Sequence, residues 1–561
     1  MLHHDPLSQS DPRARYRPAA SAPLVTLLLG ALAQVGAAEP GWHFSDVTAG
    51  SGITTAYRID ALKKPIEPRW ICAGAAAADM DGDGFVDLYL AGGEQGSDVV
   101  LRNRGDGTFE DVTGNSGVEL SGRLACGPVF ADIDADGKPD LVVPSVHGAP
   151  EQVGQPVVDI PAAYTRVFLN LGNHRFAMHP ANAGFDSPAP AYGMAFADLD
   201  GDGDLDAVAT RWRFNPAPLV WVNQQGTFVD ATIQWLGPAA DDLFRYGFTP
   251  TLADFDADGR PDLALAGDFG NSRIFRNLDG ISFVDRTDPA VVTDENGMGG
   301  AVGDVDGDGR LDWLVTSIWD PDGIPEANWG TTGNRLYLQG PDFSFTDATE
   351  QAGVREGYWG WGACLEDFDN DGDLDAFHVN GFPAPEAGEF HDDPARMFLN
   401  DGSGRFTEVS AALGVDHPGQ GRGVLCFDLE RDGDVDIIII NNEAPPVVLQ
   451  NQLEDGRGWL SIRLEHTAPN TAGIGARIEV TGPERLHVRE IRAGGAFVAN
   501  GPAEAHFGFG DGVESISTLE VRWPSGGRTA MGATPINRRL TIDSDLIRRE
   551  DFETAGFSAA P

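Results

Sequence analysis

Residues 79–87 read DMDGDGFVD, and the same order of acids around one glycine returns as DIDADGKPD at 132–140, DLDGDGDLD at 198–206, DFDADGRPD at 254–262, DVDGDGRLD at 304–312, DFDNDGDLD at 367–375 and DLERDGDVD at 428–436. A recurrence every 50 to 66 residues marks a repeat architecture in which each copy is one small structural unit. Each copy follows a small-residue or apolar run such as GAAAAD or GMAFAD, and runs straight into an apolar strand such as LYLAGG or IIIINN. A further strand ends near an asparagine (VVLRN, RVFLN, LVWVN, RIFRN, RMFLN), and a segment of the form F-x-D-x-T closes the unit. Four short strands per unit, without helical periodicity, predict an all-β chain folded as a seven-bladed β-propeller followed by a small C-terminal β domain. The closing segments start at Phe44, Phe109, Phe176, Phe228, Phe283, Phe345 and Phe406, with Phe176 the degenerate copy. None follows the seventh acidic motif, so the last unit lacks its fourth strand, and HFSDVT near the N-terminus is the spare that could complete it without leaving an open sheet edge.

Each loop offers carboxylates at positions 1, 3, 5 and 9, a glycine at 6 and a backbone carbonyl at 7. Hard Ca²⁺ takes about six to eight oxygens, and alternating acids on a tight turn supply them. The expected ligands are Asp79, Asp81, Asp83 and Asp87 in the first loop and Asp132, Asp134, Asp136 and Asp140 in the second. Asp198, Asp200, Asp202 and Asp206 form the third set, and Asp254, Asp256, Asp258 and Asp262 the fourth. Asp304, Asp306, Asp308 and Asp312, then Asp367, Asp369, Asp371 and Asp375, supply the fifth and sixth. Asp428, Glu430, Asp432 and Asp436 complete the series, with Glu430 marking the seventh site as the one expected to be weak or distorted. Asp and Gly also favour turns without any metal. Seven copies at matched strand boundaries favour calcium, up to seven ions, in a structural role.

The chain has 39 basic and 86 acidic residues and a net charge of −47. Phosphate-rich partners would be repelled, so neither nucleic acid nor an anionic membrane surface is expected to bind. Arg13, Arg15 and Arg17 precede the apolar run LVTLLLGALAQV and the small residues Gly36, Ala37 and Ala38, the order of a secretory signal peptide over residues 1–38. That run is too short to span a bilayer, which needs about twenty apolar residues. The chain is therefore expected to be exported, to the periplasm or the cell exterior, without membrane insertion. Export permits disulfides, and Cys72, Cys126, Cys364 and Cys426 precede acidic loops by similar distances on adjacent units. Cys72–Cys126 and Cys364–Cys426 are the expected pairs, with four buried thiols the alternative.

The repeats resemble the FG-GAP or VCBS calcium-loop repeats of integrin α-subunit propellers and secreted bacterial proteins. After Gly458, the stretches WLSIRLEHTAPNTAGIGARIEV, VREIRAGGAFVANGPAEAHFGFGD and LEVRWPSGG resemble an ASPIC/UnbV domain, and the whole is similar to the cartilage acidic protein-like family. The resemblance implies a propeller over 39–455, an ASPIC/UnbV-like β domain over 456–541 and a tail over 542–561, and it supplies no activity. On its own pattern the C-terminal segment alternates apolar and polar residues (Ile462, Leu464; Ile478, Val480; Leu519, Val521, Trp523), as a small sheet does. It is also richer in arginine, with Arg477, Arg485, Arg489, Arg492 and Arg522. These either dock onto the acidic propeller or bind an anionic glycan.

The loops opposite the acidic ones carry the longest insertions, at about 147–164, 211–218, 318–334 and 381–396. They and the adjoining inner strands hold Tyr192, Trp212, Tyr246, Trp319, Trp329, Trp359 and Trp361, aromatics that could line a ligand site for a polysaccharide or a cell-surface glycoprotein. The alternative is that Tyr192, Tyr246 and Trp361 only fill the axial channel. No nucleophile elbow, zincin motif or phosphate loop is present, and His174 and His179, five apart, do not match a shared helical face. An extracellular binding, adhesion or scaffold protein is the leading expectation. A polysaccharide lyase or hydrolase using His147, His391 or Arg211 is the alternative.

Overall fold

A computed structural model describes residues 41–548 apart from 61–66, 119, 147–163, 186–189, 213–218, 241–243, 321–329, 383–389, 454–455 and 545–546. The expected signal peptide and most of the expected tail lie outside the described residues. The chain is all-β, built of many small sheets.

Seven of these sheets share one design. The first runs Ala75–Ala78, Asp87–Leu90, Val99–Asn103, Phe109–Asp111, each strand antiparallel to the last. The corresponding first strands of the others are Val129–Ala131, Met194–Ala197, Gly247–Ala253, Gly300–Gly303, Gly360–Glu366 and Gly421–Phe427. These first strands pack side by side in chain order, and Gly421–Phe427 packs against Ala75–Ala78. The seventh sheet takes its fourth strand from the opposite end of the chain. His43–Asp46, the spare HFSDVT segment, pairs with Val447–Gln452, Phe44 opposite Asn451.

The F-x-D-x-T segment has a physical reason. Its Phe is buried under the sheet (Phe44, Phe109, Phe228). Asp111 Oδ1 accepts from the Thr113 amide at 2.9 Å, and Thr113 Oγ1 accepts from the Val100 amide of the neighbouring strand at 2.9 Å. The same pair of bonds recurs at Asp285/Thr287 and Asp347/Thr349, and Glu408/Ser410 substitutes for it in the sixth sheet. The tie turns the chain into single-turn helices, Thr113–Ser116, Thr232–Leu236, Thr349–Ala352 and Ser410–Leu413, which the strand pattern alone did not foretell.

The two cysteine pairs are disulfides with Cα atoms 4.7 Å (Cys72–Cys126) and 6.6 Å (Cys364–Cys426) apart, joining the first and second and the sixth and seventh repeats. A crosslink of this kind contributes about 2–4 kcal/mol.

After Gly458 the chain forms two further four-stranded sheets, one centred on Gly458–Glu465 and Arg538–Asp543, the other on Arg477–Thr481 and Thr518–Arg522. The alternating residues Ile462, Leu464, Ile478, Val480, Leu519, Val521 and Trp523 are buried between them. Arg538–Asp543 stays paired with the parallel strand as far as Glu465↔Asp543, so this unit runs past residue 541.

One segment leaves this domain and enters the space where the seven first strands meet. Ala493–Gly494 adds a fifth strand to the third sheet against Ala195 and Phe196, and Ala499–Asn500 adds one to the first sheet against Ala75 and Ala76. Between them Phe497, fully buried, packs on Phe248 and Trp361 with centroids 5.6 Å away in each case. Thr251 Oγ1 donates to the Gly495 carbonyl at 2.8 Å. Small residues of the first strands make room. A side chain at Gly423 would meet Ala499 Cβ at 2.5 Å, and one at Gly74 would meet the Val498 carbonyl at 2.8 Å.

Candidate metal centres

Each acidic loop is shaped by its own carboxylates. In all seven, an oxygen of the first Asp accepts the amide of the sixth-position glycine at 2.8–3.0 Å. That glycine (Gly84, Gly137, Gly203, Gly259, Gly309, Gly372, Gly433) has φ between +84° and +100°, where a Cβ is strained. The ninth-position Asp is at most 1% exposed in every loop. One of its oxygens accepts the second-position amide of the same loop, and the other accepts a main-chain amide at the end of the third strand at 2.7–2.8 Å, as Asp206 does from Leu199 and Asn223. The strand-ending asparagine then reaches the neighbouring repeat. Asn170 Nδ2 donates to the Met80 carbonyl at 3.0 Å, Asn277 to Leu199 and Asn400 to Val305. The asparagine thus ties the first, second, fourth, sixth and seventh sheets to the loop before them, and Gln339 does so for the fifth.

This scaffold gathers acids. Ligand atoms of Asp79, Asp81 and Asp83, of Asp132, Asp134 and Asp136, of Asp198, Asp200 and Asp206, and of Asp254, Asp256 and Asp262 lie within 4.8 Å of one another in each group. Burial, reinforced by the neighbouring acids, pushes Asp206 up to about 8, Asp262 to about 9 and Asp312 to about 8, against the main-chain hydrogen bonds that oppose it. The crowded donors are all oxygens, the set that suits Ca²⁺. In the seventh loop Glu430 reaches back to Gln450 through its Oε1.

The C-terminal domain sits on these loops. Arg463 Nη1 meets Asp79 Oδ2 at 2.8 Å, Thr471 Oγ1 bonds Asp132, and Glu490 accepts the Asp254 amide at 3.0 Å. The sixth loop is the most enclosed. Gly508 donates to Asp367, Arg457 Nη1 lies 3.1 Å from Asp369 Oδ2, His506 Nε2 lies 2.6 Å from Asn370 Oδ1, and Arg485 pairs with Asp373. Of the five arginines singled out, Arg477 bonds the Gly309 carbonyl and Arg492 the Val302 carbonyl, and Arg489 is influenced by Asp367 and Glu366. Arg522 stays within its own domain, on Glu479 and Glu520.

The ASPIC and UnbV family model matches residues 466–547, and the FG-GAP-like repeat model matches 79–143 and 254–315. The chain carries FG-GAP-like repeats and an ASPIC and UnbV domain. It is 24% identical over 500 residues to cartilage acidic protein 1 of Mus musculus, covering 82% of this chain and 71% of that protein. To cartilage acidic protein 1 of Homo sapiens it is 23% identical over 505 residues, covering 82% and 70%. Among solved structures, the rhamnogalacturonan lyase YesW covers 73% of this chain and 75% of its own at 13% identity and a TM-score of 0.38, too distant for its activity to bear on this protein.

The expected ligand aromatics need correction. Tyr192, Trp212, Trp359 and Trp361 are all buried. They stand where the first strands converge, and the ASPIC/UnbV segment carrying Phe497 fills the space they border. Trp212 stacks on Phe248 at 5.8 Å and Trp359 on Phe382 at 4.3 Å. Tyr246 and Trp319 keep partial exposure, under Arg245 and Arg355 respectively. Trp329 and His147 lie outside the described residues. Arg211 is fully buried, and His391 is exposed beside Asp392.

Sequence reasoning missed a group that reaches a loop from outside it. His174 Nε2 lies 2.9 Å from Asp87 Oδ2, and its Nδ1 lies 3.5 Å from Asp81 Oδ2. The signal was present in the register of the repeats. His174 stands four residues after Asn170, where Gly107 and Gly404 stand after Asn103 and Asn400.

Proposed function

We propose that the seven matched sheets are the blades of a closed β-propeller, that its acidic loops bind up to seven calcium ions structurally, and that the chain is an exported extracellular binding or scaffold protein. The side-by-side order of the first strands, with the seventh against the first, supports closure. The observation that carries the calcium reading is the repeated gathering of carboxylate oxygens, with buried acids held high by burial first and by neighbouring acids second. With calcium bound, the positive ion would neutralise these acids and fix the turn between the first two strands of each blade.

The ASPIC/UnbV domain covers the loop side, so the ligand surface belongs to the opposite side. There Tyr246 packs edge-on to Phe269, which is 53% exposed, and Trp319 lies under Arg355. Partly exposed aromatics of this kind stack on sugar faces, so the proposed partner is a polysaccharide or a cell-surface glycoprotein, bound without turnover. The test is a panel of immobilised polysaccharides and glycoproteins in calcium. Saturable binding with no shortened polymer, reduced by Tyr246→Ala, is expected. Release of cleaved products would replace the binding reading with a lyase or hydrolase.

A further inference from the structure

We propose that the first acidic loop is a mixed histidine–carboxylate site that takes a first-row transition-metal dication through His174, Asp81 and Asp87, whereas the other loops take calcium. The inference rests on the reading of these loops as metal sites. His174 belongs to the turn closing the third and fourth strands of the second sheet, not to the loop it enters. In the first and sixth repeats the corresponding turn passes the third position of the preceding loop. A Cβ on Gly107 would stand 3.9 Å from Glu430 Oε2, and one on Gly404 would stand 3.4 Å from Asp306 Cβ. Where those turns place a glycine, this one places an imidazole 6% exposed.

The donor distances suit coordination. Two donors at about 2.1 Å from one ion and at right angles to each other are about 3.0 Å apart, and His174 Nε2 stands 2.9 Å from Asp87 Oδ2. Only one ring nitrogen can face a given ion; Nε2 is the one turned to Asp87, while Nδ1 lies 3.5 Å from Asp81 Oδ2. Ligand atoms of Asp81, Asp87 and His174 fall within 4.8 Å of one another. Arg463 holds Asp79 Oδ2 at 2.8 Å, and the part-exposed Arg102, 3.7 Å from Asp81 Oδ2, is the group that an ion bound by Asp81 would displace. Ca²⁺ prefers oxygen, whereas an imidazole nitrogen beside carboxylates favours Mn²⁺, Fe²⁺, Co²⁺ or Zn²⁺.

The backbone at His174 has φ +57°, so His174→Gly keeps the turn and matches its counterparts. The full chain, stripped with chelator and refilled with calcium, is titrated with Mn²⁺ and followed by electron paramagnetic resonance. One manganese ion with nitrogen hyperfine coupling is expected, its half-saturating concentration rising at least tenfold and the coupling vanishing in His174→Gly. Gly404→His should create a second nitrogen-coupled ion at the fifth loop. If calcium fills the other loops but manganese shows no nitrogen coupling, or binds His174→Gly equally well, His174 is only an ion-pair partner of Asp87 and the inference fails. If neither metal binds, the reading of the loops as metal sites fails with it.

Discussion

Gly508 donates its amide to Asp367 Oδ2 at 2.9 Å, the same oxygen that Gly372 holds at 2.9 Å from within the sixth loop. One carboxylate therefore shapes its own turn and anchors the ASPIC/UnbV domain. The domain cannot dock as seen unless the loop is formed, so whatever stabilises the loop also stabilises the docked state.

Only a glycine permits that approach, since a Cβ on Gly508 would stand 2.4 Å from Asn370 Cα. Gly508→Ala is expected to loosen the domain while the repeats stay folded. Limited proteolysis should cut near residues 454–457 at least several-fold faster than in the parent, and unchanged cleavage would show that docking does not depend on this contact.

Phe497 joins the C-terminal domain to Phe248 and Trp361 at the meeting point of the first strands. Phe497→Ala removes a fully buried ring and should cost about 3–5 kcal/mol. Thermal unfolding with a single probe per domain would register the loss. A change in melting temperature confined to the C-terminal domain would mean that the segment does not brace the repeats.

Without a cation, stability should depend on pH in a particular direction. Asp140, Asp206, Asp262 and Asp312 are raised to about 7, 8, 9 and 8, chiefly by burial, whereas an unfolded Asp titrates near about 3.9. The folded chain therefore holds these protons more tightly than the unfolded chain does. Their stabilising contribution is complete below about pH 4 and is lost as pH rises through about 7 to 9. Chelator-stripped protein should melt lower at pH 8 than at pH 5.5, and added calcium should raise the melting temperature more at pH 8. An apo protein that is more stable at pH 8 would contradict this.

Much of this architecture was legible in the sequence because its cause is local and repeated. The DxDxDG turns and the Asp and Thr of F-x-D-x-T make bonds within one repeat, the strand-ending asparagines reach the neighbouring one, and these bonds recur along the chain. Counting closing segments was enough to find that His43–Asp46 serves the seventh sheet. The arginines after residue 476 point to acidic partners, and four of the five lie against the repeats, whereas Arg522 finds Glu479 and Glu520 closer by. The aromatics were less legible: for Tyr192 and Trp361 the sequence left open both a ligand site and a filled channel, and the filled channel is what is found. Tyr192, Trp212, Trp359 and Trp361 have the same composition whether they line an open funnel or a filled one, and Phe497, which fills it, lies more than 100 residues further along the chain. His174 was passed over because comparison with His179 asks about a helix, whereas the informative comparison is with Gly107 and Gly404 in equivalent turns.

The central claim is that the acidic loops bind calcium and that the fold depends on it. Thermal unfolding of the chelator-stripped chain across a calcium titration, with bound ions counted by mass spectrometry under non-denaturing conditions, tests it most directly. The account predicts a large, saturable rise in melting temperature as the loops fill, to at least six calcium ions. No bound calcium and an unchanged melting temperature would contradict it, and would leave the repeated acids as turn formers alone.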